Sequence, residues 1–117
     1  MSTLDKKNPS YAPAYITGIY PQLAIRAREL GYALTLHGSI QRDLDVVAVP
    51  WIKESVDPIV LVTELCKIFD VNVNHPINEP EIKPHGRLAY SIPFWWGAYI
   101  DISVIPPREI KQFEFKL

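Results

Sequence analysis

The chain has 117 residues, the length of one domain, and its 48% apolar content suffices for a core and excludes an intrinsically disordered chain. A formal net charge of −1 gives no overall signature of a nucleic-acid or membrane-surface binder. The single cysteine, Cys66, cannot form a disulfide within the chain, so we expect a buried structural thiol and a cytoplasmic location.

The N-terminal part of the chain predicts an arm followed by a helix. Residues 1–13 are polar and contain prolines, and we expect a flexible arm ahead of a single domain over residues 14–117. They lack the apolar region of a signal peptide, and no run approaches transmembrane length, which predicts no membrane partner. Apolar residues then recur at helical spacing, which predicts a helix over 20–30, with a start as early as Thr17 and a cap at Gly31.

Two β-like runs flank a Gly-Ser turn in the next segment. The first strand is predicted over 32–36, the turn at Gly38-Ser39, and the second strand over 43–49. Side chains alternate along a strand, so Asp43 and Asp45 share one face. Neighbouring carboxylates repel each other unless a proton, a cation or a partner relieves them. Mg²⁺ prefers such oxygen ligands and keeps substrate phosphates as further ligands, which makes this strand a candidate metal site.

The remainder of the chain predicts a second helix and a hairpin. The helix is expected over 57–69, with Asp57 as N-cap, followed by a short strand over 71–73 and a surface loop over 74–84. Strands over 87–92 and 98–105 then pair around a five-residue connection, and a short edge strand is permitted over 113–117. In the last hairpin strand Asp101 interrupts an otherwise apolar pattern, either as a structural residue or as a third site acid.

Aromatic residues raise two further alternatives. Trp51, after the second strand, is expected to pack against the domain rather than to stack on a nucleobase. Phe94, Trp95 and Trp96 lie together at the hairpin connection, where they form either a lid over the edge of the core or a binding surface.

The Gly38-Ser39 turn, the Asp43-Leu44-Asp45 triplet and Asp101 together resemble the nucleotidyltransferase superfamily, the fold of DNA polymerase β and the poly(A) polymerases. In that family a Gly-Ser turn follows a strand, an acid-apolar-acid triplet lies on the next strand, and a third acid lies on a later strand. The resemblance and the predicted elements imply an α+β fold, a small mixed β-sheet packed against two helices with a nucleotidyltransferase-like core.

The same resemblance implies roles for individual residues. The first two acids bind metal and the third helps to activate the incoming hydroxyl, with Mg²⁺ as the expected cofactor. The candidate catalytic and metal-binding residues are Asp43, Asp45 and Asp101. The candidate nucleotide-binding residues, which supply a turn for phosphate oxygens and positive charge, are Gly38, Ser39, Arg42 and Arg87. An arginine beside the acids could instead neutralise them, which would make the site structural.

Most of the chain also resembles small proteins of tailed bacteriophages, in the order Gly-Ser, Arg-Asp-Leu-Asp, Val-Pro-Trp and Tyr-Ile-Asp-Ile-Ser-Val. That resemblance implies no activity. Two hypotheses therefore stand. The first is a minimal nucleotidyltransferase-like domain that binds a nucleoside triphosphate with Mg²⁺ and acts on nucleic acid or protein. The second is a catalytically inert phage accessory protein that binds a nucleotide or a host protein in the host cytoplasm, which the short connection over 40–42 favours.

Overall fold

The fold is α+β, a five-stranded mixed sheet with two helices against one of its faces. The computed structural model describes residues 9–69, 80–94 and 97–107. The α+β class and the mixed sheet predicted from the sequence are thereby confirmed. None of the helices in these ranges is long and apolar enough to cross a membrane.

The first helical segment, α1, is longer than predicted. It runs without interruption through an α-helical turn at Ala12–Ala14, a π-helical turn at Tyr15–Ile19 and an α-helix at Tyr20–Glu29. The early start is anchored by the backbone amide of Tyr11, which donates to the carbonyl of Gln41 at 2.7 Å. Residues 9–13, which the sequence assigns to a flexible arm, thus contact the domain, and residues 1–8 lie outside the described ranges.

The sheet contains one parallel pair of strands, and that pair is close to its centre. The order of the described strands is β1-β2-β5-β4-β3, and among them only β2 and β5 run parallel. The strands are β1 Tyr32–His37, β2 Leu44–Pro50, β3 Glu81–Ile82, β4 Leu88–Pro93 and β5 Tyr99–Val104. The bounds of β1, β2, β4 and β5 agree with the predicted strands to within one residue at either end.

The short strand β3 lies within the segment 74–84 that the sequence predicts as a surface loop, of which residues 74–79 lie outside the described residues. A 3₁₀ turn at Pro84–Gly86 reverses the chain, and the amide of Lys83 donates to the carbonyl of Arg87 at 2.8 Å. Glu81 and Ile82 therefore pair with the beginning of β4 although their side chains are exposed. The strands predicted over 71–73 and 113–117 lie outside the described residues.

The second helix, α2, spans Pro58–Ile68 and lies close to its predicted bounds. Asp57 occupies the N-cap position with extended backbone angles, but its side chain makes no capping hydrogen bond. Arg26 of α1 reaches Glu64 of α2 at 3.4 Å, so the two helices are also joined by an ion pair. Cys66 is buried, as predicted, and burial raises the pKa of its thiol to about 11.

The core lies between the helices and one face of the sheet. Alternate residues of the four long strands point into it, and each helix contributes an apolar stripe. The largest fully buried side chains are Tyr15, Tyr32, Leu23, Leu44, Leu61, Leu65, Ile102, Val46, Val62 and Val104. We call the opposite side of the sheet the outer face; it presents Ala33, Thr35, His37, Asp45, Val47, Val49, Ala89, Ser91, Asp101 and Ser103.

Trp51 differs from its prediction as a packed residue. It follows β2 in a turn, where its amide donates to the carbonyl of Gly31, and its side chain stays 53% exposed. The guanidinium of Arg28 lies over the indole at 5.7 Å from the ring centroid. The ring is therefore partly covered by a surface cation rather than by the core.

Candidate functional site

Four polar side chains form a line across the outer face of the sheet. The strand register places His37 opposite Asp45, Asp45 opposite Asp101, and Asp101 opposite Ser91. Neighbouring strands lie about 4.8 Å apart, so each member of the line can reach the next. We call these four residues the polar row. It contains two of the three predicted site acids.

Asp45 and Asp101 are the central pair of the polar row, and both are half-buried. Burial raises the pKa of the Asp45 carboxyl, a hydrogen bond with Asp101 raises it further, and the negative charges of Asp101 and Asp43 add to the effect. His37 acts in the opposite direction and lowers that pKa. A hydrogen bond between two carboxyl groups requires a proton, so the pair can hold either a shared proton or a cation.

Asp43 lies at the beginning of β2 and is held by the backbone of the neighbouring strand. Its Oδ1 atom accepts a hydrogen bond from the amide of Tyr99 at 3.0 Å. This contact joins the starts of the two parallel strands. Two of the three predicted acids, Asp45 and Asp101, are therefore opposed on the sheet, while the third, Asp43, has one oxygen bound to the backbone at the start of β5.

The acids supply few ligands for a divalent cation. Among the described residues, no group of three or more His, Cys, Asp and Glu side chains converges as a complete metal site. Mg²⁺ is commonly held by only one or two carboxylates, with water and phosphate oxygens completing its shell. The facing carboxylates of Asp45 and Asp101 fit that smaller requirement.

The Gly-Ser turn closes over the acid pair. Gly38 has a φ of +71°, a conformation that favours glycine, and a Cβ at this position would lie 3.2 Å from the Oδ2 atom of Asp45. A side chain there would press on the carboxylate, so glycine allows the turn to approach it. Ser39 follows with an exposed side chain. The structure thus brings Gly38 into contact with a predicted acid.

The two candidate arginines are placed differently. A guanidinium nitrogen of Arg87 donates to the hydroxyl of Ser103 at 3.1 Å, and Ser103 is the next outer-face residue after Asp101 on β5. Arg42 contacts the N-terminal segment, where its guanidinium donates to the carbonyl of Pro9 at 3.2 Å and lies over Tyr11. Of the two candidate arginines, Arg87 is therefore the one that contacts a residue of the outer face.

Two members of the polar row, His37 and Ser91, are absent from the predicted site. Both could have been found from strand alternation combined with pairing. His37 immediately precedes Gly38, and the length of the turn sets it opposite Asp45. Ser91 requires the pairing of β4 with β5, which the hairpin around residues 93–97 supplies.

The aromatic cluster at the hairpin is described only in part, because Trp95 and Trp96 lie outside the described residues. Phe94 is half-buried and meets Phe69 edge to face, with ring centroids 5.8 Å apart. This contact closes the end of the core beside α2, as the lid alternative predicts for Phe94.

Comparison of the chain with protein-family models, with curated proteins and with solved structures finds no match.

Proposed function

We propose that the outer face of the sheet binds a nucleoside triphosphate together with Mg²⁺, as a minimal nucleotidyltransferase-like domain. The observation that carries the proposal is the opposition of Asp45 and Asp101 on parallel strands, with Gly38 in contact with Asp45. Two half-buried carboxylates in this arrangement destabilise the folded protein when no ligand is bound. A divalent cation would relieve their repulsion, and a triphosphate would complete the shell of that cation.

Five of the seven candidate residues have a part in this proposal. Asp45 and Asp101 would hold the cation, which when bound supplies charge neutralisation for phosphoryl or nucleotidyl transfer. Asp101 would also accept the proton of an attacking hydroxyl, the role that the superfamily resemblance implies. Gly38 and the exposed Ser39 would receive phosphate oxygens, and Arg87 would contribute positive charge from the opposite side of the acids.

The proposal is tested by thermal unfolding with Mg²⁺ and each of the four common ribonucleoside triphosphates. Binding to the folded state should raise the melting temperature, and a ligand at 100 times its Kd adds about 2.7 kcal/mol. Asp45→Ala should abolish the rise. Asp57→Ala, which changes an exposed aspartate without a capping hydrogen bond, should retain it. No rise in the wild-type protein with any triphosphate would contradict nucleotide binding.

Catalysis needs a separate measurement, the release of pyrophosphate in the presence of pooled RNA, DNA or protein acceptors. Asp101→Asn should lower the nucleotide affinity less than Asp45→Ala does, because the amide oxygen remains a neutral ligand for the cation. It should lose turnover because the amide cannot accept the proton. A wild-type protein that binds nucleotide and never releases pyrophosphate would exclude the transferase activity.

The second candidate is the catalytically inert phage accessory protein, which binds a nucleotide or a host protein in the host cytoplasm. One observation favours it. The hydrogen bond from the Tyr99 amide engages an oxygen of Asp43, which gives that acid a structural role. Nucleotide binding without pyrophosphate release is the outcome that this candidate predicts.

A further inference from the structure

The loop between Gly38 and Asp43 is held in place by the beginning of α1. The amide of Tyr11 donates to the carbonyl of Gln41 at 2.7 Å, and the hydroxyl of Tyr15 donates to the carbonyl of Arg42. The guanidinium of Arg42 in turn donates to the carbonyl of Pro9 at 3.2 Å. Three successive contacts therefore tie the site loop to the segment 9–15.

The loop needs such support because its own backbone is strained. Ile40 has a φ of +49°, a left-handed conformation that is rare for a β-branched residue, and its side chain is buried. Strained residues of this kind persist where the surrounding structure over-determines them. Here the burial of Ile40 and the contacts from segment 9–15 hold the strained conformation in place.

A short path leads from Tyr15 to the acids. The carbonyl that accepts the hydrogen bond of Tyr15 belongs to Arg42, and the next residue is Asp43, whose carboxylate accepts the amide of Tyr99. The side chain of Tyr15 is 2% exposed and lies near the acids. Burial raises the pKa of its phenol to about 12, with the charges of Asp43 and Asp45 among the further causes.

We propose that Tyr15 is a positioning residue for the site: its hydroxyl fixes the carbonyl of Arg42 and thereby sets where the carboxylate of Asp43 lies between the two parallel strands. The inference about Asp43 stands on the contacts alone. Its consequence for metal binding rests on the proposed function, because Asp43 joins the starts of β2 and β5, the strands that carry the two acids proposed to hold the cation.

The test uses Tyr15→Phe in the full chain, because phenylalanine keeps the buried ring and removes only the hydroxyl. Tyr32→Phe is the matched control. Tyr32 is also fully buried, and its hydroxyl donates to a backbone carbonyl, that of Val56, at 2.6 Å. Both variants lose one hydrogen bond of the same type, and only Tyr15 contacts the site loop.

Hydrogen exchange of the Tyr99 amide reports the position of Asp43 without any ligand. In Tyr15→Phe we expect this amide to exchange roughly tenfold faster relative to the central amides of β5, as the loss of one hydrogen bond implies. In Tyr32→Phe the ratio should stay unchanged. An unchanged ratio in Tyr15→Phe, or an equal change in both variants, would overturn the inference.

A second readout is the affinity for Mn²⁺, used alone as a probe and followed by broadening of the amide signals of β2 and β5. Tyr15→Phe should weaken Mn²⁺ binding several-fold, whereas Tyr32→Phe should match the wild-type protein. If the wild-type protein does not bind Mn²⁺ and the Tyr99 amide still responds to Tyr15→Phe, the positioning role holds and the proposed function fails. An unchanged Mn²⁺ affinity in Tyr15→Phe, in a wild-type protein that binds the ion, would overturn the link between Tyr15 and the metal.

Discussion

Asp45 and Asp101 lie directly opposite each other on two adjacent parallel strands, and Asp101 raises the pKa of the Asp45 carboxyl. Like charges in directly opposed positions of a sheet are destabilising. Here the two acids lie side by side on the outer face, with His37 opposite Asp45 and Ser91 opposite Asp101. The pair is therefore a place at which the fold keeps an unfavourable interaction that a proton or a cation can relieve.

Asp45→Asn should increase stability at neutral pH, and the increase should depend on pH. The pKa of Asp45 is raised above its ordinary value of 3.8, so the folded protein binds this proton more tightly than the unfolded chain. Binding of this proton therefore stabilises the folded state fully below the pKa that Asp45 has in the unfolded chain. The stabilisation is lost as the pH rises through the pKa that Asp45 has in the folded protein. We expect the variant to gain roughly 1 kcal/mol near pH 7, the scale of a cross-strand pair, and little near pH 3. Urea unfolding across this range measures it, with Asp57→Asn as control; a gain that is constant with pH would contradict the prediction.

Gly38→Ala should change Asp45 specifically. Both Gly38 and Gly86 have left-handed backbones, with φ of +71° and +76°, so alanine should cost about 1–2 kcal/mol at either site. Only at position 38 does the new Cβ meet a carboxylate, at 3.2 Å, whereas nothing lies within 4 Å at position 86. A methyl group against the carboxylate removes water from it, so the pKa of Asp45 should rise further in Gly38→Ala. Titration of the Asp45 carboxyl carbon by NMR measures this, and an equal pKa in both variants would refute it.

Gly31→Ala should be among the most damaging single substitutions in the turn between α1 and β1. Its φ is +97°, and an added Cβ would lie 2.6 Å from the Cα of Ser55, a backbone atom that cannot move aside cheaply. We expect a loss on the order of 3 kcal/mol or more in the free energy of unfolding. The contrasting variant is Gly18→Ala, where nothing lies within 4 Å of the added atom. Because Gly18 lies inside the helical segment, alanine should be neutral or should gain about 0.5–1 kcal/mol. Equal stability of the two variants in chemical unfolding would show that the contact with Ser55 is relieved easily.

Cys66 should be unreactive in the folded protein. It is buried in α2, and burial raises the pKa of its thiol to about 11, so the reactive thiolate is scarce at neutral pH. Modification by Ellman's reagent should therefore proceed at a rate limited by opening of the structure and should become fast in denaturant. Rapid modification of the native protein at pH 7 would contradict both the burial and the raised pKa.

Much of the fold could be predicted because local patterns and tertiary packing agree. The core is formed by the apolar residues that alternate along 44–49 and 99–104 and by the apolar stripes of α1 and α2. These are the same residues that the sequence patterns single out. The exceptions depend on distant contacts. The beginning of α1 is held by the hydrogen bond from the Tyr11 amide to the Gln41 carbonyl. Strand β3 forms because the turn at Pro84–Gly86 brings β4 back alongside it.

The site could be predicted only in part, for a similar reason. Alternation places Asp45 and Asp101 on the outer face, and their opposition follows once β2 and β5 pair. The bond between Asp43 and the Tyr99 amide, and that between Tyr15 and Arg42, join residues far apart in sequence and leave no local pattern. The contact of Arg42 with Pro9 likewise separates it from Arg87, although the sequence makes the two equivalent.

The position of β5 has a consequence for how the protein assembles. This strand follows the other four described strands in sequence, yet it lies between β2 and β4 near the centre of the sheet. Its pairing with β2 closes a loop of about half the chain, and such non-local closures cost entropy and are slow. During synthesis Asp45 is made long before Asp101, and the two can meet only after β5 has inserted. The acid pair therefore forms only in chains whose β5 strand has inserted into the sheet. Partly folded chains that lack this strand cannot bind a ligand through the pair.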